Sequence, residues 1–62
     1  MLDKVRYDMA EAANLLSVSV KTLERRIEEG VLLGTYKDGR KRFVPRESIA
    51  AYINKIMKQN GL

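Results

Sequence analysis

The chain has no cysteine and no histidine. Without cysteine there is no disulfide framework and no thiolate metal site. Without histidine, zinc is left with carboxylates alone, a poor donor set. The same two absences remove the usual nucleophile–base pairs of acyl-transfer enzymes. Long apolar runs are missing too. The longest span only a few residues, far below the roughly 20 needed to cross a bilayer. The N-terminal stretch MLDKVRYDMAEAA carries charges where a signal peptide needs an apolar run, so a cytoplasmic protein is expected. Sixty-two residues give room for one domain, 1–62, and little for a substrate cleft. An enzyme is therefore not expected, nor is a cofactor or a metal. The core must be small, because a chain of this size buries only about 60% of its unfolded surface.

What is present is positive charge, unevenly placed. Twelve Lys and Arg stand against eight Asp and Glu, for a net charge of +4. Between Lys37 and Arg46 lie five basic residues (Lys37, Arg40, Lys41, Arg42, Arg46) and one acid, Asp38. That segment carries the whole excess, and the rest of the chain is balanced. No internal repeat, linker or low-complexity segment interrupts it.

The local signals spell out an element order. Asp8 followed three residues later by Glu11 reads as a capping box. Met9, Ala12, Ala13 and Leu16 then recur at helical spacing. A helix is predicted over 9–16, with Tyr7 as an apolar contact just before its cap. Ser17 and Ser19 break the pattern, and Ser19 is the expected N-cap of a second helix, 20–29. Val20, Leu23 and Ile27 point inward from it, and Gly30 ends it. Two short helices joined by about three residues make a helix-turn-helix arrangement. Ala13 lets the two approach closely, and Leu23 fills the wedge between them.

A two-stranded wing is predicted over 33–44. Asp38-Gly39 is a hairpin signal, because both central residues of a type I′ turn need positive φ. That turn would pair Lys37 with Arg40, Tyr36 with Lys41, Thr35 with Arg42 and Gly34 with Phe43. Alternation then sets Tyr36, Lys41 and Phe43 on one face, the two rings anchoring it to the core, and Lys37, Arg40 and Arg42 on the other. Pro45 opens a third helix, 45–58, with Ile49, Ala50, Ile53, Ile56 and Met57 as its apolar stripe and Tyr52 at the margin. Met9 and Met57 are expected as core filler, and the closing QNGL is expected to fray. The fold class is mainly α with a small β-hairpin, a winged helix-turn-helix.

On a wheel of about 100° per residue, Arg25 lies opposite the inward face of the second helix. Lys21 and Thr22 flank it, and Arg26 sits at the side. A helix entering the major groove contacts bases with its N-terminal residues and outward face. Ser19, Lys21, Thr22, Arg25 and Arg26 are thus the candidate contacts of the second helix, with Arg25 as the guanine reader. The competing reading is a solvated salt-bridge face built with Glu28 and Glu29, and on this helix alone the two stand level. The hairpin decides between them. Blocking a sheet edge needs one or two cations, whereas Lys37, Arg40, Lys41 and Arg42 repel one another unless an anion is near. They are the candidate wing contacts to DNA, with Arg46 as a further phosphate contact.

YDMAEAANLLSVSVKTLERRIEEGVL, the basic turn and VPRESIAAYI together resemble the excisionase-type DNA-binding domain, itself related to the N-terminal domain of MerR-like regulators. Leu16-Ser17-Val18-Ser19, Thr22, Gly39-Arg40-Lys41 and Val44-Pro45-Arg46 occupy the family's motif positions, and the likeness spans Tyr7 to Ile53. Ser17 stands where the family usually has Gly, and Arg42-Phe43 where an aromatic–Arg pair is common. The resemblance implies a recognition helix in the major groove, a wing along the backbone or minor groove, and bending of the duplex. It also implies a monomer that assembles cooperatively, head to tail, on double-stranded DNA. MerR-like regulators dimerise through a long C-terminal helix and sense ligands with a further domain, and neither is expected here. The reading favoured at this level is an excisionase, or recombination directionality factor, shaping attachment-site DNA for an integrase. The alternatives are a small MerR-like transcriptional regulator or plasmid-maintenance protein, and an interaction adaptor whose wing docks on an acidic protein.

Overall fold

A computed structural model describes residues 2–59. Strand β1 (Arg6–Asp8) leads straight into helix α1 (Met9–Leu15), followed by α2 (Val20–Glu28), strands β2 (Tyr36–Asp38) and β3 (Lys41–Pro45), and helix α3 (Arg46–Gln59). The three strands form an antiparallel sheet in the order β1-β3-β2. Mainly α with a small β wing is therefore the fold. The fraying expected of the last residues lies, for 60–62, outside the described residues, while Gln59 is still helical.

Asp8 ends β1 and caps α1. Its extended backbone (φ −75°, ψ 176°) completes the strand. Its Oδ1 accepts from the Glu11 N–H at 2.8 Å, while Glu11 Oε1 accepts from the Asp8 N–H at 3.1 Å. This is the reciprocal capping box, and it satisfies two otherwise orphaned donors. β1 had no counterpart among the sequence expectations. It is three residues long, with one inward side chain, Tyr7, which lies opposite Val44 and is buried with it.

α1 and α2 end in the same way. After α1 the Ser17 N–H donates to the Asn14 carbonyl (3.1 Å) and the Val18 N–H to Ala13 (3.0 Å). After α2 the Gly30 N–H donates to Ile27 (3.1 Å) and the Val31 N–H to Arg26 (3.0 Å). Both are Schellman closures, which need a left-handed residue at the first position past the cap. Gly30 supplies it at φ 76°, and Ser17 must supply it at φ 58°. The left-handed region costs a non-glycine residue about 1–2 kcal/mol, partly offset by the larger chain entropy that glycine loses on folding. Ser17 is exposed and donates no side-chain bond among the described residues. Ser17→Gly is therefore expected to stabilise the protein by about 0.5–1 kcal/mol, raising Tm by roughly 4 °C in thermal denaturation.

The hairpin register differs from the expected one. Tyr36 faces Phe43, Lys37 faces Arg42 and Asp38 faces Lys41, so Gly39-Arg40 are the central turn residues. Gly39 alone of the turn has positive φ (69°), as a type II′ turn requires at its first central position. The Asp-Gly preference loses to a cross-strand aromatic pair, with the Tyr36 and Phe43 ring centroids 6.2 Å apart. Each partner moves by two residues, so the division of faces survives. The rings do not anchor to the core, however. Val44 is buried against the helices and Phe43, its neighbour, points to the other side of the sheet, where Tyr36 is 43% exposed.

The core is Tyr7, Ala12, Ala13, Leu23, Leu32, Val44, Ile49 and Tyr52. The two alanines of α1 admit α2, and Leu23, fully buried, fills the contact. Val20, expected inside, is 40% exposed at the first turn of α2. The α3 stripe runs through Ile49, Tyr52, Ile53 and Ile56, leaving Ala50 exposed and Met57 half out. Pro45 belongs to β3 opposite Arg6 and does not open α3. The Arg46 N–H donates to the Val5 carbonyl at 3.0 Å, extending the β1–β3 ladder by one rung. The helix thus starts one residue later than expected, with a donor that has no intrahelical partner anyway.

Candidate nucleic-acid interface

Ser19 sets the start of α2. It is extended (φ −76°, ψ 159°), and its Oγ accepts from the Thr22 N–H at 3.1 Å. The same hydroxyl donates to Thr22 Oγ1 at 3.0 Å. Both bonding directions of Ser19 are engaged within the cap, which leaves the Thr22 hydroxyl proton free to donate outward.

Beyond this cap the faces of α2 diverge. Lys21 and Arg25 are exposed and form no ion pair among the described residues. On one flank, Glu24 and Glu28 line a concavity with Met9 of α1 and Arg42 of the wing. On the other flank lies Arg26. It is half-buried, borders an apolar groove with Leu16, Val18, Tyr52 and Ile56, and sets Nη1 3.9 Å from Glu29 Oε1. Its Nε is buried without a hydrogen-bond partner. Arg26 is thereby turned toward α3, away from the outward face that carries Arg25.

The wing adjoins α2 through the concavity that Arg42 shares with Glu24 and Glu28. Lys37, Arg40, Lys41 and Arg42 are all exposed, and among the described residues none forms an ion pair. Lys37 and Arg42 sit opposite one another on the helix side of the sheet, Arg40 in the turn, and Lys41 on the outer side. Lys41 borders the start of α1 with Asp8 and Met9. The hydrogen bond from Lys4 is the main cause holding the Glu11 carboxyl below its usual range, followed by the Asp8 N–H, with a smaller pull from Lys41. Arg46, exposed and also without an ion pair among the described residues, stands at the first residue of α3.

Asp38, the acid amid these cations, is held by a residue that sequence reading did not single out. Arg6 Nη1 donates to Asp38 Oδ2 at 2.8 Å and to the Tyr36 hydroxyl at 3.2 Å. A basic residue in a three-residue strand carries no signal of its own. Its role emerges only once β1 lies beside β3.

A helix-turn-helix pair with an adjoining cationic hairpin agrees with the family comparison, in which residues 6–57 match the helix-turn-helix domain. The chain belongs to that family. The match begins at β1 and runs through most of α3, so the helix-turn-helix domain here includes the sheet as well as the two helices. Curated proteins and solved structures give no match to the chain. Helix-turn-helix domains are DNA-binding modules and typically not enzymes, and DNA is the partner the family indicates. Among the described residues no helix is long and apolar enough to cross a membrane.

Proposed function

We propose that the chain is a sequence-specific double-stranded DNA-binding protein in which α2 enters the major groove. The β2–β3 hairpin follows the backbone or the adjacent minor groove. One observation carries this reading. Lys21, Arg25, Lys37, Arg40, Lys41 and Arg42, on α2 and on the wing that faces it across a shared concavity, are all exposed, and none forms an ion pair among the described residues. A duplex supplies the missing counter-charge.

Arg25 reads bases, with Thr22 beside it, while Lys21, the wing cations and Arg46 hold phosphates. Ser19 acts through the cap. Arg26, packed toward α3, contributes least to the contact. Arg25→Ala is expected to cost about 1–3 kcal/mol on the preferred site and little on random duplex. Equal losses on both would make Arg25 a phosphate contact instead.

The biological role that fits best is that of an excisionase, or recombination directionality factor, binding and bending attachment-site DNA beside an integrase. It is supported by the resemblance of the motif positions, now seen on a helix-turn-helix with a wing. The protein would bind as a monomer and assemble head to tail on the site. A footprint on the DNA around the protein's own gene tests it, with bend detection by circularly permuted fragments. Repeated protected sites at a recombination junction, with bending, are the expected result. Protection confined to a promoter would make the protein a MerR-like regulator.

A further inference from the structure

We propose that Arg6 is a positioning residue that latches the wing to the body of the fold without contacting DNA. The inference rests on the reading of the hairpin as a DNA-binding element. Its physical core, the latch itself, is testable without DNA.

β1 and β2 are not hydrogen-bonded neighbours, since β3 lies between them. The Arg6 side chain bridges them over the outer face of the sheet. Its Cζ lies 3.8 Å from the Phe43 ring centroid and 6.0 Å from that of Tyr36. The guanidinium then donates to Tyr36 Oη and Asp38 Oδ2, both on β2. One side chain therefore binds residues of both wing strands from a third strand. The Tyr36 hydroxyl and the Asp38 carboxylate both reinforce the charged guanidinium. A two-stranded ribbon is marginal by itself, and an exposed ion pair alone holds little. What distinguishes this contact is a planar cation that stacks on a ring and donates at its edge, which a lysine cannot do.

The latch also has an electrostatic consequence. Asp38 is adjacent to Lys37, faces Lys41 and lies two residues from Arg40. Left free, its carboxylate would neutralise one of them or repel a phosphate. Paired with Arg6, which stands outside the hairpin, its charge is offset without drawing on the four wing cations.

Amide hydrogen exchange of residues 37–42 in the free protein, with the Leu23 and Val44 amides as internal controls, reads the latch directly. In both Arg6→Lys and Arg6→Gln, hairpin exchange is expected to rise at least about fivefold while the control amides stay protected. Lysine should therefore fail to rescue. Unchanged hairpin exchange in both variants, or full protection restored by lysine, overturns the proposal. If glutamine unprotects the controls as well, the lysine variant decides alone. A parallel titration uses a random-sequence duplex. There both variants are expected to bind about three- to tenfold more weakly through the added cost of ordering the wing, with an unchanged slope of log K on log salt. A slope shallower by about 1 in Arg6→Gln, recovered by lysine, would make Arg6 a phosphate contact and sink the latch. A wild-type protein indifferent to duplex would refute DNA binding and leave the exchange result to judge Arg6.

Discussion

Raising salt from about 50 to 200 mM is expected to weaken binding to duplex DNA by about two to three orders of magnitude. Six exposed cations on α2 and the wing lack an in-chain partner among the described residues, and Arg46 adds a seventh. Arg25 is assigned to a base. If about four to six of the others each neutralise a phosphate, log K falls on log salt with a slope of about −4 to −5. Fluorescence anisotropy at several salt concentrations measures it. Lys41→Ala should weaken binding to all sequences alike and lower the slope by about 1. A slope near −1 for the unaltered protein would favour docking on an acidic protein, where a few ion pairs replace a line of phosphates.

Leu23→Ala is expected to remove most of the protein's stability. Leu23 is wholly buried and shares its core cluster with Ala12 and Ala13, whose side chains are too small to fill a void. Truncating a buried leucine costs about 2–5 kcal/mol, toward the upper end where the walls cannot collapse. A domain of this length has about 3–9 kcal/mol in total. Urea denaturation followed by circular dichroism should show a pretransition baseline that is short or lost. A loss below about 1.5 kcal/mol would mean that α1 and α2 close over the gap.

The parts of the fold legible in the sequence were those written in local chemistry. Asp8 with Glu11, Ser19 and Gly30 mark helix ends through bonds that span three to five residues, so α1 and α2 fall within one residue of expectation. What could not be read depends on partners distant in sequence. β1 exists because Tyr7 meets Val44, and α3 begins at Arg46 because Val5 accepts its N–H. Leu32 is buried in an irregular segment where no periodicity could announce it. The hairpin signal was genuine but misplaced, since two rings 36 and 43 residues along outweighed a dipeptide. The candidate interface shows the same division. The outward position of Arg25 follows from helical period alone, whereas the seat of Arg26 against α3 and the reach of Arg6 to Asp38 require the tertiary fold.

β3 joins two environments within a single strand. Val44 is sealed inside, and two positions earlier Arg42 stands in solvent at the wing. No joint separates the wing from the interior, and Pro45 closes the other end with a fixed φ. With Arg6 holding both of its strands, such a ribbon behaves as a stiff lever. When protein and duplex do not match in shape, the compliance must come from the DNA, and base steps that kink easily would be favoured even where no side chain touches them.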